Sequence, residues 1–315
     1  MTEKERLDWL KERQLGIGGS DVAPILGIPS YKGASPHQVW RSKTEPVSVV
    51  DTETEDMYWG NTLEPVLIKE YSKRTGVFIK GTPGCVAHDD HPCLMGTPDQ
   101  YVECPTFGPG LLEIKNNSFG REWGNPDDDA SISVPPHYYV QVIHYMDVTN
   151  RGWADIAVLI SGTKFLIHRV EDNPTYRLAN RAKILEWWDR HIVNGEEPEA
   201  INPPDAASKY PVAEGGEVLA TDEMQSLVNE LIVAKSIHGS SSMDVDKLKT
   251  KLMELMGDTE LLVNEEGRKL ISWKNPTPGR RIDKKKLRKE FPIAYEECLE
   301  INQSSRRFVI HAEAK

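Results

Sequence analysis

The chain has 315 residues, of which 38% are hydrophobic and 28% charged, and its formal net charge is −11. These proportions are ordinary for a globular protein and exclude a collagen-like or largely disordered chain. The negative charge excludes a protein that is basic over its whole surface, but it permits a nucleic-acid enzyme whose positive charge is confined to one groove. The length predicts one large domain with a smaller appendage.

The cysteines and the N-terminal residues indicate the compartment. Cys85, Cys93, Cys104 and Cys298 form no Cys-x-x-Cys pair, which favours a reducing compartment over a disulfide framework. Residues 1–11 carry mixed charge without an apolar run, and no segment has the length of apolar chain that crosses a bilayer. We therefore expect a cytoplasmic protein without a signal peptide or a membrane span.

A glycine-rich turn follows the first predicted helix, Glu3–Leu15. Three glycines lie within residues 16–19, and a second helix is predicted over Val22–Leu26 with Ser20 or Asp21 as its cap. Such a turn can serve only to start a helix. Alternatively, its free N–H groups, the Ser20 hydroxyl and Arg13 could together bind an anion.

Two further helices are predicted before the first strands. One covers Pro36–Lys43 with Val39 and Trp40 inward. The other covers Met57–Arg74 and has an apolar stripe at helical spacing, formed by Trp59, Leu63, Val66, Leu67 and Tyr71. Glu64 lies between stripe positions, where a glutamate is more often a surface residue than a ligand.

The centre of the chain carries a carboxylate pattern on two predicted strands. Asp99 follows a Gly-Thr-Pro turn, and thirteen residues separate it from Glu113, which is enough for a hairpin loop. Alternation with period 2 places Glu113 and Lys115 on one face. Two carboxylates and an ammonium on an apolar sheet are unfavourable without a partner, and Mg²⁺ between the carboxylates would remove that penalty. The pattern is typical of PD-(D/E)XK nucleases, although Glu-x-Lys on a strand is more often a solvated face.

The remaining elements of the first half follow a polar loop at residues 116–133. A helix is predicted from Pro135-Pro136 to about Val148, with Tyr138, Gln141 and Tyr145 on one face. Strands over Trp153–Ile160 and Thr163–Val170 are joined by Ser161-Gly162, a hairpin signal, and a helix over Pro174–Val193 leads to a proline-marked linker at residues 198–211.

The composition changes after the linker. Helices are predicted over Thr221–His238 and Asp244–Met256, and a hairpin is predicted from Glu260–Val263 and Arg268–Lys274. A final strand is predicted over Arg306–His311. Between them lies a basic run at residues 280–289, which is either a solvated helix face or a set of phosphate contacts.

The motifs occur in one particular order. They are Arg13 with Gly18–Asp21, Trp59-Gly60-Asn61 with Glu64-Pro65, Gly96–Asp99, Leu112–Lys115, and Val134-Pro135 with Tyr138 and Gln141. In this order, over residues 10–195, the chain resembles the YqaJ-type viral recombinase family. These are phage-type alkaline exonucleases related to lambda exonuclease, within the PD-(D/E)XK superfamily.

The resemblance implies both a fold and an activity. The fold would be α+β, with an α/β/α restriction-endonuclease-like core of helices around a central mixed sheet over residues 1–204. Residues 205–315 would form a C-terminal α+β extension to which no motif assigns a role. The activity would be that of a magnesium-dependent 5′-to-3′ exonuclease, with Mn²⁺ able to substitute. It would degrade one strand of linear duplex DNA and leave a 3′ single-stranded tail.

The resemblance also implies the residues of the catalytic site. Asp99 and Glu113 would be metal ligands, together with the carbonyl of Ile114. Lys115 would contact the attacking water or the scissile phosphate. Glu64 would join the site from its helix.

Further residues are implied around this centre. Gln141 would help to position water or metal, and Arg13 and Ser20 would hold the terminal 5′ phosphate. Either Asp89 or Asp90 could contribute a further carboxylate.

The resemblance finally implies partners and an assembly. These are double-stranded DNA ends, a single-strand annealing protein and a ring-shaped homotrimer, in a phage or prophage protein of the bacterial cytoplasm. Two alternatives remain: a structure-specific or restriction-type endonuclease, and a non-catalytic DNA-end-binding scaffold for recombination. Closed circular DNA distinguishes the first alternative, and the presence of Asp99, Glu113 and Lys115 argues against the second.

Overall fold

A computed structural model describes residues 3–31, 33–47, 54–118, 120–124, 133–236 and 242–275, together with the backbone of strands 279–282, 299–302 and 307–310. The chain divides into two compact units, residues 1–198 and residues 199–315. The boundary predicted from the sequence, after residue 204, lies slightly further along the chain. No helix among the described residues is long and apolar enough to span a membrane.

The N-terminal unit alternates helices with strands. Its helices are α1 (Glu3–Gln14), α2 (Gly19–Ile25), α3 (Pro36–Thr44), α4 (Glu55–Thr75), α5 (Pro136–Thr149) and α6 (Pro174–Trp188). Its strands are β1 (Phe78–Gly81), β2 (Val86–Ala87), β3 (Met95–Gly96), β4 (Gln100–Cys104), β5 (Gly108–Asn117), β6 (Trp153–Ile160) and β7 (Lys164–Glu171).

The central sheet has the strand order β1-β4-β5-β6-β7. Neighbours pair antiparallel except β5 and β6, which are parallel. Parallel neighbours need a crossover connection, and α5 lies in the segment that links these two strands. The β4–β5 and β6–β7 hairpins predicted from the sequence are confirmed.

Helices cover both faces of the sheet because the side chains of β5 alternate between them. Leu112 and Ile114 pack in one apolar cluster with Leu67 and Tyr71 of α4. Leu111 packs in another with residues of α5, including Val142, Ile143 and Met146. The predicted α+β class, with a central mixed sheet flanked by helices, is confirmed.

Local signals explain where several elements begin and turn. The side chain of Ser35 accepts the N–H of Gln38 at the start of α3, and Asn173 caps α6 in the same way. Ser161 and Gly162 both have positive φ, at 50° and 69°. Two consecutive positive φ values characterise the type I′ turn, which matches the twist of the flanking strands.

Helix α2 begins earlier than the sequence predicted. It starts at Gly19, its N-cap is Gly18, and Ser20 and Asp21 lie inside it rather than capping it. The carboxylate of Asp21 instead accepts the N–H of Gly18 at 2.9 Å. The predicted cap was wrong because Asp21 is the third residue of the helix. Its carboxylate bonds back to the N-cap residue, Gly18, instead of occupying the N-cap position.

The apolar stripe predicted on α4 is only partly correct. Leu67 and Tyr71 are buried and Leu63 is partly buried, whereas Trp59 and Val66 are 49% and 59% exposed. Positions 63, 67 and 71 are four apart and share the face that packs on the sheet. Val66 is rotated away from that face, and Trp59 lies in the N-terminal part of the helix.

The segment after β7 differs from the prediction at two places. Helix α6 ends at Trp188, and a short π-helix, Asp189–Val193, continues it. The prolines predicted to mark a linker include the start of a helix, α7 (Pro203–Lys209). Asn202 caps α7, and proline suits a first turn because its missing N–H has no intrahelical partner there.

The C-terminal unit contains α7, α8 (Asp222–Ser236) and α9 (Ser242–Met256). Its strands are β8 (Glu217–Leu219), β9 (Leu261–Val263), β10 (Lys269–Lys274), β11 (Gly279–Ile282), β12 (Leu299–Asn302) and β13 (Arg307–Ile310). One sheet has the order β13-β10-β9-β8, and its β9–β10 hairpin was predicted. Of the predicted basic run, Arg280 and Arg281 lie on β11, and residues 283–289 lie outside the described residues.

Candidate active site

Asp99 directly precedes β4. This end of β4 lies beside the middle of β5. The β4–β5 ladder runs to the pair Gln100↔Leu112. Beyond it, the Oδ2 atom of Asp99 accepts the N–H of Ile114 at 2.7 Å. The N–H and C=O of one strand residue point to the same side of the strand. The Ile114 carbonyl is therefore directed to the side of β5 on which Asp99 lies.

Glu113 is a buried carboxylate with one satisfied oxygen and one open oxygen. Its side chain is 4% exposed. Oε1 accepts from Nζ of Lys115 at 2.6 Å and from Nε2 of Gln141 at 3.0 Å. No described residue donates to the buried Oε2 atom. A buried carboxylate oxygen without a donor is unfavourable and indicates a position for a missing positive partner.

Lys115 remains a cation at this site. Burial lowers its pKa, but the carboxylates of Glu113 and Asp99 outweigh burial, and the pKa of Lys115 is raised. The ammonium also lies 4.9 Å from the ring centroid of Tyr138, at cation–π distance. Tyr138 in turn stacks on the fully buried Trp123, with centroids 5.6 Å apart.

Glu64 of α4 completes a group of three carboxyl groups around one cleft. Burial, followed by the charge of Glu113, raises the pKa of Asp99 well above its ordinary value, and the same two causes raise the pKa of Glu64. The cleft has a volume of about 220 Å³ and is lined by Met57, Gly60, Asn61, Glu64, Asp99, Glu113, Ile114, Lys115 and Asn116. Mutual repulsion of the carboxylates makes this cleft a favourable place for a cation.

The residues present fit a divalent metal. The open Oε2 atom of Glu113, a carboxylate of Asp99 and the carbonyl of Ile114 are hard oxygen donors grouped at the middle of β5, where the β4 ladder ends. Within the described residues, no three His, Cys, Asp or Glu side chains are arranged to hold a metal ion. A set of two carboxylates and one carbonyl suits Mg²⁺, which keeps several waters and takes few protein ligands.

Arg13 and Ser20 meet at the glycine-rich turn. Arg13 NH2 donates to the Ser20 hydroxyl at 3.1 Å and lies 3.8 Å from the Asp21 carboxylate. Asp21 also pairs with Lys43 at 2.8 Å, and Lys43 donates to the Arg13 carbonyl at 2.7 Å. The structure thus brings the two predicted phosphate residues together and adds Lys43, which no sequence pattern connects with them.

Asp89 and Asp90 do not join the carboxylate cleft. Both are exposed between β2 and β3, and the N–H of Asp90 donates to Nδ1 of His88 at 3.1 Å. Of the predicted site residues, the structure groups Asp99, Glu113, Ile114, Lys115, Glu64 and Gln141 at one place. Arg13 and Ser20 lie on a cavity that Gln141 also lines.

Two buried residues were assigned no role from the sequence, although the spacing had placed Tyr145 on the same helix face as Gln141. Tyr145 accepts from Gln141 at 3.0 Å. Asp155 is held by Tyr71 and Arg169. A signal for Asp155 was present, since a single aspartate stood in the otherwise apolar strand 153–160.

Comparison with known proteins gives similarities in sequence and in structure. Residues 8–152 match the YqaJ-like viral recombinase domain. The uncharacterized protein YqaJ of Bacillus subtilis (strain 168) is 29% identical in an alignment of 307 positions that covers 94% of this chain and 91% of that protein.

Similar solved structures include two exonucleases. An alkaline exonuclease from Laribacter hongkongensis has a TM-score of 0.48 and 18% identity, over 59% of this chain and 93% of that one. A phage-related exonuclease from Haemophilus somnus 129PT has a TM-score of 0.43 and 12% identity, over 57% of this chain and 96% of that one.

The resemblance predicted from the order of the motifs is therefore confirmed at the level of the domain. The matched residues contain α2 to α5, the second half of α1, the β4–β5 hairpin and every predicted site residue. Over residues 8–152 the chain is thus similar to the YqaJ-like viral recombinase domain.

Proposed function

We propose that the protein is a divalent-metal-dependent 5′-to-3′ exonuclease that degrades one strand of linear duplex DNA and leaves 3′ single-stranded tails. The observation that carries this proposal is the open, buried Oε2 atom of Glu113 beside Asp99 and Lys115. The YqaJ-like domain and the similarity to solved exonucleases agree with it.

The proposed roles follow from the geometry of each side chain. Asp99, Glu113 and the Ile114 carbonyl would hold Mg²⁺, which when bound activates water and stabilises charge on a phosphate. Mn²⁺ would occupy the same oxygen ligands. Lys115 balances phosphate charge through its ammonium, and Gln141 fixes the Glu113 carboxylate through Oε1. Glu64 adds a third carboxyl group to the lining of the cleft.

The polarity of the proposed reaction rests on Arg13 and Ser20. Their side chains meet on a cavity of about 220 Å³ that Gln141 also lines. A guanidinium beside a hydroxyl can bind a terminal phosphate, which carries more charge than an internal diester. A 5′ phosphate held there would place the end of one strand next to the site that contains Glu113.

The experiment that tests the proposal uses three DNA substrates with Mg²⁺: a 5′-phosphorylated linear duplex, the same duplex with 5′ hydroxyls, and a covalently closed circle. We expect digestion of both linear substrates from their 5′ ends, faster with the phosphate, and an intact circle. Cleavage of the circle would instead support an endonuclease, and an absence of metal-dependent digestion would support a non-catalytic end-binding protein.

Variants assign the result to the residues. Glu113→Gln should abolish digestion, whereas Glu171→Gln, an exposed glutamate at the end of β7, should not. Arg13→Ala should reduce the advantage of the phosphorylated duplex, and Arg13→Lys should restore part of it, because a lysine lacks the guanidinium fork. Lys11→Ala on the same helix is the matched control.

The proposal extends to the assembly implied by the family resemblance, a ring-shaped homotrimer that works with a single-strand annealing protein. Enclosure of the duplex would favour processive digestion, because release then requires ring opening or an end. Sedimentation equilibrium at micromolar concentration should give a trimer mass, and a monomer mass there would contradict this part of the proposal.

A further inference from the structure

Tyr145 lies between the glycine-rich turn and the carboxylate site. It is 6% exposed and follows Gln141 by one turn of α5. Nε2 of Gln141 donates to the Tyr145 hydroxyl at 3.0 Å and to Oε1 of Glu113 at 3.0 Å. A primary amide has two N–H groups. The two hydrogen bonds therefore use both and fix the orientation of the amide.

The ring of Tyr145 explains two glycines in the sequence motifs. A Cβ atom at Gly19 would lie 2.4 Å from Cε1 of the ring, and one at Gly96 would lie 2.9 Å from Cδ1. Both distances are shorter than real side chains adopt, so these positions exclude any residue larger than glycine unless the ring moves. The motifs that begin at Gly18 and Gly96 thus enclose the Tyr145 ring and fix where its hydroxyl lies.

Few groups hold the Glu113 carboxylate in place, and the Tyr145 hydroxyl supports one of them, the amide of Gln141. Within the described residues, Oε1 of Glu113 has two donors, Lys115 and Gln141, and Oε2 has none. If the amide of Gln141 loses its second anchor, it is free to rotate about its last torsion angle. The carboxylate then keeps only the Lys115 bond, and the position of Oε2 is no longer fixed.

We propose that Tyr145 is a positioning residue for the nuclease site: its hydroxyl holds the Gln141 amide against Glu113, and its ring ties this hydroxyl to the glycine-rich turn. This inference rests on the proposed function. Tyr145 also lines the cavity that holds Arg13 and Ser20, but its hydroxyl is hydrogen-bonded to Gln141, so the inference concerns the turnover step rather than recognition of the 5′ end.

The test compares Tyr145→Phe, Gln141→Leu and the double variant on 5′-phosphorylated duplex with Mg²⁺. Tyr145→Phe keeps the ring and removes only the hydroxyl. We expect its kcat to fall about tenfold, the size of one hydrogen bond of about 1.4 kcal/mol. KM and the advantage of phosphorylated over hydroxyl ends should remain at the wild-type level. In the Gln141→Leu background, Tyr145→Phe should have no further effect.

Tyr139→Phe is the matched control, because Tyr139 lies on the same helix but contacts Tyr176 of α6. Thermal unfolding of each variant separates a folding defect from a positioning effect. A Tyr145→Phe protein with wild-type kcat, or losses from the two substitutions that multiply independently, would overturn the inference. An inactive wild-type protein would instead overturn the proposed function.

Discussion

Glu113 and Asp155 are buried carboxylates on adjacent strands of one sheet, and their surroundings differ in a way that separates function from stability. Asp155 is 1% exposed and accepts from the Tyr71 hydroxyl at 2.6 Å and from Nε and NH2 of Arg169, both at 2.8 Å. Both of its oxygens therefore have donors. Glu113 is equally buried, but only one of its oxygens is satisfied.

The two environments also differ in what they connect. The donors of Asp155 come from α4 and β7, so this carboxylate joins a helix to two strands of the core. The guanidinium of Arg169 is itself covered by the ring of Trp153, 4.1 Å from its centroid. A carboxylate enclosed in this way has no free oxygen for a ligand, whereas Glu113 faces a cleft shared with Asp99 and Glu64.

Neutralising each carboxylate in turn is the strongest test of this difference between Glu113 and Asp155. Glu113→Gln should lower kcat by more than the roughly 10²–10⁴ of a single acid–base group, because metal placement is lost as well. Its free energy of unfolding should change less than that of the Asp155 variant, because the loss of the Lys115 ion pair is offset by the relief of repulsion between Glu113 and the carboxyl groups of Asp99 and Glu64. Initial rates on linear duplex and urea unfolding measure the two quantities.

Asp155→Asn should show the reverse behaviour. Removing one partner of a buried, hydrogen-bonded ion pair leaves the other uncompensated and destabilises by about 3–5 kcal/mol. The folded fraction at low temperature should retain wild-type kcat, since Asp155 does not line the cleft. A loss of kcat without a loss of stability would place Asp155 in the site and remove the distinction between the two carboxylates.

A third carboxylate, Asp147, extends the comparison to the pH dependence of the free energy of unfolding. It pairs with Arg177 and Arg181 of α6. Burial raises its pKa, but the hydrogen bonds from Arg181 and Arg177 outweigh burial, and the pKa of Asp147 is lowered. A group with a lowered folded pKa contributes stability that is present above its unfolded pKa of about 3.9 and is lost as the pH falls through the folded pKa.

Urea unfolding between pH 7 and pH 2.5 measures this contribution. The wild-type free energy of unfolding should fall with decreasing pH below about 4, the unfolded pKa of aspartate. Asp147→Asn should be less stable at pH 7 and should show a shallower fall. Asp8→Asn, an exposed residue of α1, should follow the wild-type curve. Parallel curves for Asp147→Asn and the wild type would contradict the pairing.

The smallest expected effect concerns the aromatic ring beneath Lys115. Tyr138→Leu removes the cation–π contact, which contributes roughly 0.5–1 kcal/mol, so kcat should fall about two- to fivefold. Tyr138→Phe keeps the aromatic face and should retain most of the wild-type rate. Equal losses in the two variants would show that the ring acts through its hydroxyl or through packing rather than through its face.

Local patterns predicted most elements because their signals lie within a few residues. The Ser161-Gly162 hairpin, the helix that begins beside Pro135 and the pairing of Asp99 with the Glu113 strand all follow from turn chemistry and alternation. The start of α2 and the helix at Pro203 were missed for a local reason, since glycine and proline signal both chain breaks and helix beginnings.

The site was only partly predictable because its decisive feature is long-range. The Glu-x-Lys spacing places Glu113 beside Lys115, but no local pattern shows that Gln141 reaches the same oxygen or that Oε2 has no donor. Lys43 carries no sequence signal for its contact with Asp21, which depends on how α2 and α3 pack. The spacing of Gln141 and Tyr145 places them on one helix face, but it does not show that this face meets Glu113 or that the Tyr145 ring lies against Gly19 and Gly96.

We propose that one oxygen of Glu113 has no donor because it binds a metal, whereas both oxygens of Asp155 are paired because Asp155 stabilises the core. The direct measurement is the thermal midpoint with and without Mn²⁺ for the wild type, Glu113→Gln and Asp155→Asn. At 100 times Kd, binding adds about 2.7 kcal/mol, or roughly 5 °C or more. This shift should occur in the wild type and in Asp155→Asn and be absent from Glu113→Gln. An equal shift in Glu113→Gln would contradict the account.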